Sequence, residues 1–336
     1  MTVMRRPFCV LILLMSILSC KGGSPMTGQE RREAGEDGGD DKKADQDTTP
    51  GDKAGGDDAS TGNQDNTTTG QTDGTLRLCL TGDTGEGDSQ QMAVAKALES
   101  ENCAAVLIAG DIIYDAGISS ADDAQLDQKF WTPYQKLIQT DKVPFYLVMG
   151  NHDYDGNPRA WLDVAAQNPG KVIFPDMWYA MNITENVCLF GFDTNTSQTQ
   201  QSAWFAQTKG NFSKCRFSVA FAHEPYLSAG EHGNASGVNK TLMDDSIVGH
   251  FDLYFVGHDH HMEDAGDVNG TKLLLAGSGG RYLRPLDASP TVWALSAHGY
   301  ILLDIGQTEA TYKFIAVDGA TKKEVRAGTI SAKGIR

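Results

Sequence analysis

From about residue 75 onward, apolar residues gather in short β-rich runs that stop at Gly, Asn, Asp or His. Between several runs the apolar positions recur at helical spacing. Strands are expected at 76–81, 104–109 and 144–148, with helices following near 89–98, 124–138 and 159–167. Such alternation predicts right-handed βαβ units and a largely parallel sheet. The pattern changes near residue 178. Strands follow at 178–183 and 187–192, a helix near 202–209, then strands at 217–221, 253–256, 272–276, 300–305, 310–317 and 323–328. So many strands predict two sheets packed face to face with helices outside, all within one α/β domain spanning 75–336.

The first 74 residues follow neither period. Arg5 and Arg6 precede an apolar stretch from Phe8 to Leu18, then Ser19-Cys20. This is the pattern of a signal peptide over 1–20, too short to span a membrane against the ~20 apolar residues a helix needs. Ile17-Leu18-Ser19-Cys20 resembles a bacterial lipobox, which implies that Cys20 is lipidated and becomes the mature N-terminus. Lys21, rather than Asp, follows it and favours the outer membrane. Residues 21–74 are rich in Gly, Asp, Thr, Lys and Gln and nearly lack large apolar side chains. They cannot offset the entropy of ordering, and a disordered acidic linker is expected. The chain is therefore expected to be exported, as a periplasmic or outer-membrane lipoprotein of a bacterium. The alternative is a secreted extracellular protein, in which the seven Asn-x-Ser/Thr sites at Asn66, Asn182, Asn195, Asn211, Asn234, Asn239 and Asn269 would be glycan acceptors.

The net charge of -16 argues against nucleic acid as a general partner. It does not exclude a phosphate substrate, because bound cations would dominate the local field. A membrane is expected only through the N-terminal lipid, and the domain is expected to be a monomer. Export permits disulfides. Beyond Cys9 and Cys20, the chain has Cys79, Cys103, Cys188 and Cys215, which allow three full pairings. Cys79, inside an apolar run, also fits a plain buried thiol. If one bridge forms, Cys188 with Cys215 is favoured.

Five of the apolar runs end in metal-binding residue types. They read LRLCLTGDTG, AAVLIAGDIIY, PFYLVMGNHD, FSVAFAHEP and FDLYFVGHDHH. They supply Asp83; Asp111 and Tyr114; Asn151 and His152; His223; and His258 and His260. In open α/β sheets, side chains at strand carboxyl ends converge on one crevice. One Asp after Gly is usually a turn residue, and one His or Tyr at a strand end is usually a hydrogen-bonded core residue. Five such ends in order, with two carboxylates, a phenol, an amide and four imidazoles, point to a site for two metal ions. His261 and Asp153, next to ligand positions, are expected to support them. Gly277-Ser278-Gly279-Gly280 lacks a Lys-Ser/Thr ending and is expected to be a turn rather than a phosphate cradle.

In order and spacing, these blocks resemble the five motif blocks of the purple acid phosphatases, of the small tartrate-resistant type, within the calcineurin-like metallophosphoesterases. Phe174-Pro175 and Glu231-His232-Gly233 extend the likeness, which covers nearly all of 75–330; Ala220 is one departure. The resemblance implies a four-layer α/β/β/α sandwich of two mixed sheets. It implies one metal on Asp83, Asp111, Tyr114 and His260, and a second on Asp111, Asn151, His223 and His258. A phenolate favours a trivalent ion, so Fe(III) is expected beside a divalent Fe(II), Zn(II) or Mn(II). Superfamily members outside the purple group tend to have His two residues after the first Asp; here that place is Gly85. The implied activity is hydrolysis of phosphate monoesters by hydroxide generated at the metals. His152 is expected to face the phosphate, His232 is the second candidate for leaving-group acid, and Glu231 would orient or acidify its neighbour. A phosphodiesterase or nucleotidase on the same metals, and a surface-tethered binding protein without catalysis, are the alternatives.

Overall fold

The computed structural model describes residues 74–289 and 292–336. The signal-like segment, the linker up to residue 73, Cys20 and Asn66 lie outside them. The domain contains, in chain order, β1 (Leu76–Thr81), α1 (Ser89–Leu98), β2 (Ala105–Ala109), β3 (Phe145–Val148), α2 (Asn151–Asp155), α3 (Ala160–Gln167), β4 (Val172–Ile173), β5 (Tyr179–Thr184) and β6 (Val187–Gly191). There follow α4 (Gln198–Thr208), β7 (Phe217–Phe221), α5 (Gly237–Ser246), β8 (Leu253–Val256), β9 (Met262–Val268), β10 (Thr271–Ala276), β11 (Trp293–Leu295), β12 (Gly299–Ile305), β13 (Glu309–Asp318) and β14 (Thr321–Ser331). Two seven-stranded sheets form. One has the order β14-β13-β12-β1-β2-β3-β4 and the other β11-β9-β10-β8-β7-β6-β5. Both are mixed. Strands β1 to β4 run parallel, as do β6, β7, β8 and β10, while β12 to β14 and the flanks β5, β9 and β11 pair antiparallel.

Side-chain alternation explains the layers. On β7, β8 and β10, Val219, Phe221, Leu253, Phe255 and Leu274 join one core cluster with residues of the first sheet. Their neighbours Ala220, Tyr254, Leu273 and Leu275 point the other way, into a second cluster with Phe205 of α4 and Leu242 and Met243 of α5. A strand that is apolar on both faces must be covered on both faces, so the second sheet lies between the first sheet and a helical layer. Ala220 faces that helical layer, fully buried.

Most expected elements form within a residue or two of the expected bounds, and the differences have physical causes. The helix expected at 124–138 is instead two five-residue π-helical turns, Asp127–Trp131 and Lys136–Thr140. Pro133 sits between them; it lacks an N–H and its ring clashes with the preceding turn. Phe130 and Tyr134 still bury themselves, with ring centroids 5.9 and 5.0 Å from Phe145. Cys79 is not a free thiol: it is bonded to Cys103, and Cys188 is bonded to Cys215. The first bridge ties β1 to the segment entering β2, and the second ties β6 to the segment entering β7. Strand β9, reading MEDAGDV, escapes a hydrophobicity pattern because its buried acids are paired. Asp264 on β9 accepts from Tyr312 Oη at 2.7 Å and Arg326 Nη2 at 2.8 Å, both on the opposite sheet. Lys272 Nζ stands 3.4 Å away on β10.

This inter-sheet cluster gives a pH-dependent expectation. Burial alone would raise the Asp264 carboxyl, but the bonds from Tyr312 and Arg326 and the charge of Lys272 hold it below the usual carboxylate range. A depressed carboxyl stabilises the fold at pH values above its unfolded pKa, and the contribution is lost as pH falls through the folded one. Asp264→Asn should therefore cost about 2 kcal/mol near neutral pH, read by urea unfolding. The gap to the unaltered protein should narrow in acid. A gap of equal size at neutral and strongly acidic pH would show that Asp264 acts by packing rather than by charge.

Candidate metal centre

The carboxyl ends of β1, β2, β3, β7 and β8 meet along one edge of the sandwich, three strands from one sheet and two from the other. Asp83 follows β1 and Asp111 follows β2, and both are fully buried. Tyr114 lies between them, its Oη 2.9 Å from Asp83 Oδ1 and 2.8 Å from Asp111 Oδ2. His260 Nε2 is 3.3 Å from the same phenol oxygen and 3.6 Å from Asp83 Oδ1. His223 Nε2 is 3.5 Å from the same Asp111 Oδ2 that Tyr114 bonds, 3.0 Å from Asn151 Oδ1 and 3.0 Å from His258 Nδ1. All seven residues expected as ligands are thus brought together. Asp83, Asp111 and His223 alone offer three buried ligand atoms within 4.8 Å of one another, enough to hold a metal ion.

The local backbone is bent to achieve this. Asp83, Asp111 and His258 take left-handed φ values of 56°, 50° and 73°, conformations that cost of order 1–3 kcal/mol at non-glycine residues. Cross-links hold them. Asp83 N bonds Gly110 O at 3.1 Å, Thr84 N bonds Asp111 O at 3.1 Å, and His258 N bonds Asp83 Oδ2 at 2.9 Å. Two glycines allow the close approach. A Cβ on Gly257 would lie 2.3 Å from Asp83 Oδ2, and one on Gly85 would lie 1.9 Å from the carbonyl oxygen of Ile112. The second contact leaves no room for an imidazole at position 85.

The donor set is short of positive charge. Burial, with Asp111 adding to it, pushes the Asp83 carboxyl up to about 7. Burial and the same two carboxylates push the Tyr114 phenol well above 10. Burial would lower His223, but Asp111 and Asp83 outweigh it and hold the imidazole at about 9. Burial, then Arg284, takes His260 down to about 3, and burial takes His258 well below its ordinary value. The tautomers are fixed from outside. His223 Nδ1 faces Ala109 O at 2.8 Å and His260 Nδ1 faces Tyr282 O at 2.9 Å. A carbonyl only accepts, so both Nδ1 atoms carry protons and both Nε2 atoms turn toward the centre. There His223, charged by the two carboxylates, turns its Nε2 proton to Asn151 Oδ1 at 3.0 Å, a place where a cation would substitute for that proton. The lone pair of neutral His260 Nε2 faces the Asp83 carboxylate across a conflict of like-signed atoms, Oδ1 lying 3.6 Å away. A cation resolves that conflict, so the residues fit metal ions.

The flanking residues fall into place around this centre. His152 gives its N–H to Asp111 Oδ1 at 3.0 Å, and its Nδ1 is 2.5 Å from Asp115 O. Asp153 accepts from Gly150 N at 2.9 Å and Ile112 N at 3.2 Å, joining the β2 and β3 loops. His261 bonds Glu263, which accepts the N–H of Ala229. His232 is exposed and packs on His258 with ring centroids 4.1 Å apart. Glu231 bonds Arg284 Nη1 at 2.5 Å, and that nitrogen is 3.4 Å from His232 Nε2. Glu231 therefore reaches its neighbour only through a guanidinium. The Gly277–Gly280 stretch is a turn against the β1 loop, Gly279 N bonding Gly82 O at 3.0 Å. His250 and His298 bond the carbonyls of Arg336 and Ser278, away from the centre.

Three contributors carried no ligand-type signal in the sequence. Arg281 lays its guanidinium 4.4 Å over the Tyr114 ring and pairs with Glu86 and Asp115. Arg284 lies beside Tyr282, Glu231 and His232. Asp259 sits inside the Gly-His-Asp-His block, yet turns away to hold the 228–233 loop: it accepts from His232 N at 3.1 Å and from the Ser228 hydroxyl. An acid between two ligand histidines was the one available signal.

Residues 76–262 match the family described as calcineurin-like phosphoesterase, and the chain belongs to that family. Within it, the similar curated proteins are purple and tartrate-resistant acid phosphatases. Purple acid phosphatase 3 of Arabidopsis thaliana is 27% identical over 62% of this chain and 64% of its own length, so the alignment spans just under two thirds of that relative. Human tartrate-resistant acid phosphatase type 5 is 23% identical over 72% of this chain and 79% of its own length. Among solved structures, GAP50, the anchor in the inner membrane complex of Plasmodium, superimposes with a TM-score of 0.64 at 19% identity, covering 77% of this chain and 89% of GAP50. This shared fold is the two-sheet sandwich described above.

Asp259→Ala should free the loop that carries His232. The expected result is amide exchange at 228–233 faster by roughly tenfold or more, for the loss of hydrogen bonds to a charged acceptor, with the strands β7 and β8 unchanged. Unaltered exchange across that loop would show that Asp259 does not hold it.

Proposed function

We propose that the chain is a dinuclear-metal phosphatase that hydrolyses phosphate monoesters. The observation that supports this reading is the convergence of all seven donors on one buried centre, with the outer Nδ1 protons of His223 and His260 fixed by the backbone carbonyls of Ala109 and Tyr282. One cation would take Asp83, Asp111, Tyr114 and His260; the other would take Asp111, Asn151, His223 and His258. Asp111 would serve both because it stands between the halves, its Oδ2 lying 2.8 Å from Tyr114 Oη and 3.5 Å from His223 Nε2. When bound, the pair supplies Lewis-acid activation of water and charge neutralisation at the phosphoryl oxygens. The phenol of Tyr114, whose proton is held tightly, yields it most readily to a hard trivalent ion, which supports Fe(III) in the first position. The second position, with a neutral amide and two imidazoles, suits Fe(II), Zn(II) or Mn(II).

The chain's own side chains complete the reaction. His152 has its Nδ1 proton on the Asp115 carbonyl, which leaves Nε2 unengaged; as an imidazolium the ring would donate from Nε2 to the phosphoryl group. His232, packed on His258 at the rim, is the donor of a proton to the departing alkoxide. Glu231 acts on Arg284 and, through it, on the rim. A phosphodiesterase or nucleotidase would use the same donors and differ in the group that leaves. N-terminal lipidation at Cys20, with the 21–74 segment as tether, remains our proposal for how the domain is held at a membrane surface.

Two experiments test this. In purified, metal-loaded protein, Asp111→Asn should lose close to two metal equivalents per chain and Asn151→Ala close to one, with a violet absorption that disappears in Tyr114→Phe. Full metal occupancy in Asp111→Asn would remove the shared role. Second, a poor leaving group needs a proton and a nitrophenolate needs it far less. His232→Asn should therefore slow alkyl phosphates at least tenfold more than p-nitrophenyl phosphate, while His152→Asn should slow both about equally. Equal losses on both esters in His232→Asn would transfer the proton to another donor.

A further inference from the structure

A cleft of about 150 Å³ opens next to the donor set, bordered by Glu224, His232, Asn234, Asn239 and His258. Glu224 is the residue after His223, and three contacts fix its place. Its Oε2 accepts from Asn239 Nδ2 at 2.6 Å, its carbonyl accepts from Tyr254 Oη at 2.7 Å, and its N–H donates to Thr194 Oγ1 at 3.3 Å. Asn239 is oriented in turn, its Oδ1 taking a proton from Gln198 Nε2 at 2.8 Å. The amide cannot turn over without breaking both bonds. One carboxylate oxygen is therefore committed. The other, Oε1, has no hydrogen-bond partner among the described residues.

An ionised carboxylate only accepts hydrogen bonds, so the position open on Oε1 can be filled only by a donor. Water can supply that donor, and so can a ligand. His258 and His232, the candidate acid, both border the cleft, their rings packed 4.1 Å apart. The cleft is thus where the alcohol portion of an ester would lie while its phosphate occupies the metal centre. Its volume is below the ~300 Å³ at which pockets begin to enclose drug-sized ligands, which restricts that portion to a small group.

We propose that this cleft is the leaving-group subsite and that Glu224 selects small phosphate monoesters whose alcohol carries a hydrogen-bond donor, a hydroxyl or an ammonium. This rests on the phosphatase reading above and adds a substrate class to it. The donor of the leaving alcohol fills the open position on Oε1, and an alkyl ester of the same length leaves that oxygen unpaired.

The test compares three esters of one chain length: propyl phosphate, glycerol 1-phosphate and 3-aminopropyl phosphate. Each is measured as kcat/KM with the metal-loaded enzyme. The unaltered protein should favour at least one of the two donor-bearing esters over propyl phosphate by roughly tenfold or more, the worth of a hydrogen bond to a charged acceptor. Glu224→Leu should bring both ratios to within about twofold of one. The ratios are internal to each protein, so damage common to all esters cancels. Glu224→Gln keeps the size of the side chain and serves if the Leu variant does not fold. It should lose any preference for the ammonium ester and keep part of a preference for the hydroxyl one, which separates the two donor types. Ratios in Glu224→Leu equal to those of the unaltered protein would overturn the proposal, as would an unaltered protein with no preference for either donor-bearing ester. If the unaltered protein hydrolyses none of the three, nor p-nitrophenyl phosphate, the phosphatase reading itself falls and the subsite falls with it.

Discussion

Two carboxylates, Asp83 and Asp111, are buried side by side at the junction of two sheets, and the rest of the domain is arranged around that cost. Like charges in a water-excluded site repel, and each resists ionisation. The chain answers with a phenol bridging the two, a protonatable imidazole at Asp111, and backbone N–H groups from His152 and His258. None of these removes the shortage of positive charge. That shortage is why the site fits cations, and why bent backbone is tolerated at three of the residues that create it. The sheets supply rigidity: strands covered on both faces cannot shift their ends without uncovering apolar surface.

Charge is graded around this point. The chain is strongly acidic as a whole, with a net charge of -16, yet the rim of the site carries Arg281 and Arg284, each held against aromatic rings and paired with an acid. A phosphate approaching an acidic domain is repelled at long range and attracted only near the rim. Within about 10 Å of such charges, salt screens little of this contrast. Glu86, Asp115 and Glu231 hold the guanidinium groups in place at the expense of part of their charge. The aromatic contacts fix their planes without neutralising them.

Much of the domain was legible because a strand announces itself twice, by its apolar run and by what stops it. Phe217–Phe221 and Leu253–Val256 form at the residues expected, and the ligands stand where those runs end. Legibility failed where a segment's burial depends on a distant partner. Strand β9 looks polar until Tyr312 and Arg326 of the other sheet are brought to Asp264. The bond between Cys79 and Cys103 joins β1 to the segment entering its parallel neighbour β2, a neighbourhood that spacing alone does not reveal. Pro133, which lacks an N–H, breaks the apolar period at 124–138 that otherwise reads as one helix. Arg281, Arg284 and Asp259 touch the site through its supports, and residue type alone does not signal such a role.

The donor set also divides by origin. Asp83, Asp111, Tyr114 and Asn151 come from loops of one sheet, while His223, His258 and His260 come from the other. Neither half holds a complete coordination shell, so the centre exists only while the two layers stand in register. A cation there is a clasp across the seam. It would resist sliding of one layer over the other, as the inter-sheet bonds of Asp264 to Tyr312 and Arg326 do elsewhere on the seam. The atoms proposed to hold the metals would thus also report whether the sandwich is correctly closed.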